Sequence, residues 1–131
     1  MRAPPAVVDR GAVLRPVTSV FLFVDDLEAA AAWYRDRLGS DPVRTAPQMV
    51  TFAVGDAVLV VHRADDFNAV GPAGTVAYWG VDDVDAVVAD WGRHGATPHR
   101  GPKTIATGER LCQLLDPFGN LFSVREAAAG A

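Results

Sequence analysis

Two stretches of this chain carry one pattern. VDDLEAAAAWYRDRLGSDP begins at Val24 and VDDVDAVVADWGRHGATP at Val81, and they align residue for residue through their first dozen positions. In each, an apolar run ends in V-D-D and a helical pattern follows. A shift of 57 carries Leu27, Ala30, Ala31 and Tyr34 onto Val84, Val87, Val88 and Trp91, so both copies bury the same helical stripe. The fold must therefore accommodate one unit twice.

The ends of the helices have a mechanism. Asp25 and Asp82 are expected as N-caps, with Glu28 and Asp85 three residues on, as in a capping box; the acids also suit the positive end of the helix dipole. Gly39 and Gly95 fit the left-handed position that closes a helix. Tyr34 and Trp91 lie on the stripes and read as core aromatics. Trp33 lies off its stripe, either half-exposed or at an interface.

Strand patterns follow each helix. MVTFAV, Gly55-Asp56 and AVLVVHR make one hairpin; RLCQLL, DPFGN and LFSVR make another. Aligning the turns at Gly55 and Gly119 gives an offset of 64 and places Leu59 opposite Ser123. Each unit reads as strand, helix, then two or three antiparallel strands. The expected division is an N-terminal arm at 1–16, a first module at 17–70, a linker at 71–75, a second module at 76–126 and a tail at 127–131.

Composition excludes several partners. Half of the 131 residues are hydrophobic and the net charge is −4 without a dense basic run, so nucleic acid and anionic membrane surfaces are not expected. No apolar run reaches the ~20 residues of a membrane helix, and the N-terminus lacks a secretory apolar segment. Cys112 is the single cysteine, which rules out an internal disulfide and reads as a small core residue. A soluble, cytoplasmic protein is expected.

The ordered set FLFVDDLEAAAAWYRDRLG, YWGVDDVDAVVADWGRHGA and D-P-F-G-N resembles the vicinal oxygen chelate superfamily over residues 16–126. That superfamily includes glyoxalase I, bleomycin resistance proteins, fosfomycin resistance enzymes and extradiol dioxygenases. The resemblance implies an α+β fold: two paired βαβββ modules forming a cupped mixed sheet with helices on the outside. It also implies a divalent metal in many members, held by a His, Gln or Glu on a module's first strand and a Glu on its last. Carried over one at a time, the first-strand positions are Ser19 and Val76, and the last-strand positions are Leu59 and Ser123. Neutral hydroxyls and aliphatic chains do not hold a divalent metal, so no metal and no cofactor are expected.

Period-two alternation from these positions lines the cup with Ser19, Phe21 and Phe23, with Val76, Tyr78 and Gly80, with Leu59, Val61 and Arg63, and with Leu121, Ser123 and Arg125. Such a cavity is apolar, partly aromatic, and carries a few hydroxyls and an Arg pair near its mouth. His62 is expected to face away from it, His94 ends the second helix, and His99 lies between prolines. If a register slip or a bulge turned His62 inward, it could join Glu109 and His99 in an unusual metal site. A serine nucleophile is not supported, because no histidine is expected on the strand face of Ser19 or Ser123 and no nucleophile-elbow sequence surrounds either.

The leading expectation is a metal-free, homodimeric protein sequestering a hydrophobic or aromatic small molecule such as an antibiotic. A lyase, isomerase or dioxygenase with an atypical metal site or metal-free acid–base groups is the first alternative. A dimeric structural or regulatory protein with a filled cup is the second. No catalytic residue is assigned.

Overall fold

A computed structural model describes residues 13–130. Most of the expected N-terminal arm lies outside them, and residues 13–18 have no regular structure. The first unit runs β1 (Ser19–Val24), α1 (Leu27–Leu38), β2 (Arg44–Thr45), β3 (Met49–Val54) and β4 (Ala57–Arg63). The second runs β5 (Tyr78–Gly80), α2 (Val84–Gly92), β6 (Thr97–Thr104), β7 (Arg110–Leu115) and β8 (Leu121–Glu126). Two four-stranded mixed sheets result, ordered β1-β4-β3-β2 and β5-β8-β7-β6, in which β1 runs parallel to β4 and β5 parallel to β8. These are two βαβββ modules, an α+β fold. No helix among the described residues is long and apolar enough to cross a membrane.

Both helices start one residue later than the pattern predicts. Asp26 and Asp83, not Asp25 and Asp82, are the N-caps: they hold extended backbone and accept from Ala29 N at 3.1 Å and Ala86 N at 3.0 Å. V-D-D offers two aspartates, and only the second lies three residues before a free N–H of the first turn. Glu28 and Asp85 then fall inside that turn, where the dipole still favours them. Gly39 closes α1 at φ 68°, its N–H donating to Arg35 O. The second helix ends sooner, through Arg93 in right-handed geometry, with Gly95 at φ 102° turning the chain afterwards.

One core serves both modules. Leu22, Val24, Leu59, Val61 and Phe52 cover the inner side of the first sheet, and Cys112, Leu114, Phe122 and Val124 that of the second. Between them Tyr34 and Trp91 are buried as the stripes predict, and Trp33 packs edge-on against Trp91 and Phe118. The indole of Trp33 also donates to His94 O at 2.7 Å, so its off-stripe position serves the boundary between modules. Burial pushes the Cys112 thiol above its ordinary value, as befits a core residue.

The D-P-F-G-N turn locks this boundary. Asp116 accepts from Phe118 N and Asn120 N within the turn, and from Tyr34 Oη of α1 at 2.6 Å. Asn120 donates to Phe23 O of β1 at 2.8 Å and accepts from Gly71 N at 3.1 Å. Four chain segments meet at two side chains.

Candidate functional site

Each sheet has one face packed on the helices and one turned away. In the first sheet the outward face carries Ser19, Phe21 and Phe23 of β1, paired in register with Val58, Val60 and His62 of β4. Phe21 and Phe23 lie with ring centroids 6.1 Å apart, and His62 sits 6.0 Å from Phe21 and 5.2 Å from Phe23. His62 Nδ1 lies 2.6 Å from Arg63 O. A carbonyl only accepts, so Nδ1–H is the donor in this contact.

This corrects the expected lining. Leu59 and Val61 are fully buried in the shared core, and Arg63 reaches Gln48 and, at 3.4 Å, Glu28 of α1. All three belong to the helix side, while His62 faces outward without any bulge. The cause is a slip of one residue, which exchanges the two faces of a strand. Phe21 pairs with Val60 and Tyr78 with Ser123, so the counterpart of Ser123 is Val60, at an offset of 63 rather than 64. A two-residue turn brings in β4 with the pair Val54–Ala57 on the helix side; the five-residue turn brings in β8 with Leu115–Leu121 on the other. Turn length, visible in the sequence, was the missing signal.

In the second sheet the outward face carries Tyr78 and Gly80 of β5 and Leu121, Ser123 and Arg125 of β8. Val76 precedes β5, which has only three residues, and is 37% exposed. Arg125 is paired with Glu109, whose other oxygen accepts from Thr107 Oγ1 at 2.8 Å. These partners hold the Glu109 carboxyl below its ordinary range. Neither arginine of the expected pair is therefore free. Sequence reasoning also missed Gln113: it faces Ser123 from β7 and donates through Nε2 to Tyr78 Oη at 3.0 Å.

A cavity of about 220 Å³ beside β1 is lined by Val20, Phe21, Leu22, Phe23, Asn120, Leu121 and residues of the 69–77 connection. It brings Phe21, Phe23 and Leu121 together. Tyr78, Gly80 and Arg125 border a separate hollow with Val81, Asp82 and Ala127. His62, His99 and Glu109 do not converge: no group of three His, Cys, Asp or Glu able to hold a metal occurs among the described residues.

The sequence pattern of the Glyoxalase/Bleomycin resistance protein/Dioxygenase superfamily matches residues 17–124. The chain belongs to that superfamily. Solved structures agree on the fold. A lactoylglutathione lyase from Agrobacterium tumefaciens is 27% identical with a TM-score of 0.65, covering 88% of this chain and 96% of that one. A glyoxalase/bleomycin resistance protein/dioxygenase family enzyme from Burkholderia phytofirmans is 20% identical with a TM-score of 0.71, covering 83% and 96%. A glyoxalase/bleomycin resistance protein from Catenulispora acidiphila is 24% identical with a TM-score of 0.63, covering 84% and 96%. No curated protein matches the chain.

Membership in the superfamily raises the question of its metal. With the register corrected, the four positions are Ser19, Val60, Val76 and Ser123. A hydroxyl that keeps its proton is a weak ligand, and valine offers none. The donor set of this chain does not fit a divalent metal at that place.

Proposed function

We propose that the chain is a binding protein of the superfamily that holds an uncharged, planar, largely apolar small molecule without a metal. The observation that carries this reading is the pair of outward sheet faces. Phe21 and Tyr78 are 45% and 38% exposed there, and Val76, just before β5, is 37% exposed, at and beside positions that lack metal-binding groups. Aromatic rings exposed on a concave scaffold gain from stacking a flat ligand, and large exposed apolar groups mark binding surfaces. The engagement of Arg125, the arginine of the outward face, by Glu109 speaks for an uncharged ligand. An antibiotic is one such molecule, and the reducing cytoplasm is the compartment the reading assumes. A second copy of the chain would cover the remaining apolar surface as a homodimer.

The neutral fluorescent probe N-phenylnaphthylamine tests this. It should bind saturably, and Phe21→Ala with Tyr78→Ala should abolish the binding while leaving the fold intact by circular dichroism. Elemental analysis of protein purified without chelator or histidine tag should find far less than one divalent ion per chain. A stoichiometric metal would sink the reading.

A second reading is an enzyme of the superfamily working without a metal. It is favoured by one observation, the outward His62 packed beside Phe21 and Phe23. Turnover lost in His62→Gln would decide for it.

A further inference from the structure

The pair Tyr78 and Gln113 does something unusual to Ser123. Both flank it in register, Tyr78 from β5 and Gln113 from β7, and their hydrogen bond of 3.0 Å bridges the strand between them. Beneath that bridge Ser123 is wholly buried, and its Oγ has no hydrogen-bond partner. A buried hydroxyl without a partner is costly, and alanine would fill the same space without the penalty. Tyr78 spends its oxygen as acceptor for Gln113, and its own O–H is left over.

Two O–H groups thus face the same side of the second sheet: Ser123, buried without a partner, and Tyr78, 38% exposed, whose O–H its bond with Gln113 does not use. We propose that Tyr78 and Ser123 form a two-donor site for a neutral carbonyl oxygen on a planar aromatic ligand, with Gln113 as the latch that covers Ser123 until the ligand enters. This rests on the binding reading above and specifies its ligand. A carbonyl oxygen offers two in-plane lone pairs to two donors. A carboxylate fits less well, because Arg125, on the same face, is already held by Glu109 and an uncompensated anion would be desolvated there. Ketones, quinones and aryl amides are the chemical class.

Fluorenone and fluorene share one ring system and differ by the carbonyl, so the test uses both, with the full chain. Fluorenone should bind about tenfold more tightly than fluorene, the effect of one or two ordinary hydrogen bonds. Its carbonyl stretch should move to lower frequency on binding. Ser123→Ala and Tyr78→Phe should each weaken fluorenone several-fold, leave fluorene unchanged and reverse part of the infrared shift. Gln113→Ala removes the latch and should tighten fluorenone. Equal binding of both compounds, indifferent to Ser123→Ala, would overturn the two-donor site and spare the binding reading. Failure of both compounds to bind up to their solubility limits would overturn both.

Discussion

The turns Gly55-Asp56 and Asp116–Asn120 close equivalent hairpins of a duplicated fold, yet they do different work. The first is a two-residue turn at the surface, with Asp56 exposed and Gly55 at φ 57° as the tight geometry requires. The second is a five-residue turn whose Asp116 and Asn120 are both 5% exposed and bonded to the other module. Of the two equivalent turns, only the second is a joint between the modules. The longer turn also shifts the parity of β8 counted from its turn, so that Ser123 faces outward where Leu59, at the same count in β4, is core.

Removing the two aspartates should give the largest contrast. Asp116→Ala strips the acceptor from the buried Tyr34 Oη and Asn120 N–H and from the half-buried Phe118 N–H, and should cost about 4 kcal/mol by urea unfolding. Asp56→Ala should stay within about 0.5 kcal/mol, as exposed substitutions do. Equal costs would mean that the second turn is no joint. Burial raises the Asp116 carboxyl above its ordinary value, against the pull of Tyr34 and the turn N–H groups. A raised folded value means that this group favours the native state at low pH, and that the contribution fades as pH rises through it.

Next in size is the test of the register. Leu59→Ala empties a core position and should cost about 3 kcal/mol. It should leave N-phenylnaphthylamine affinity unchanged, whereas Val60→Ala, on the outward face, should alter affinity at smaller cost in stability. The opposite pattern would restore the register in which Leu59 faces the ligand.

Much of the fold was legible because it rests on short-range chemistry repeated twice. The two V-D-D segments, the stripes ending in Tyr34 and Trp91, and the glycine turns each fix local geometry through sterics or capping. The helix starts were read one residue early because two adjacent aspartates compete for one cap. The outward face of the second sheet was read from Ser123 with the right parity. The first was not, since Leu59, Val60 and Val61 are all good core residues and an apolar run does not reveal its own parity. Gln113 and the Glu109–Arg125 pair escaped notice for another reason. Their meaning comes from cross-strand register, which no single strand contains.

Ser123 offers a smaller effect with a telling sign. Ser123→Ala should raise stability by about 1 kcal/mol, because the buried hydroxyl returns no hydrogen bond. Val60→Ser, which writes the same residue into the equivalent place of the first sheet, should lower it. A loss of stability in Ser123→Ala would show that its hydroxyl is satisfied after all.

The smallest contrast concerns two ion pairs at equivalent helix starts. Arg110 grips Asp85 through two nitrogens at 2.8 and 2.9 Å, whereas Arg63 meets Glu28 through one at 3.4 Å. The hydrogen bonds from Arg110 hold the Asp85 carboxyl below its ordinary value of 3.8. A lowered folded value means that the pair's contribution is fully present above the unfolded value and is lost as pH falls through the folded one. The stability gap between the wild type and Asp85→Asn should therefore be constant from neutral pH down to about pH 5, and close below about pH 4. Both pairs are exposed, so the gap should be small and should shrink in high salt. Glu28→Gln should cost less at neutral pH than Asp85→Asn, because its single contact at 3.4 Å is the looser one. A gap for Glu28 as large as that for Asp85 would mean that proximity to the helix start, common to both modules, matters more than the paired geometry that only the second possesses.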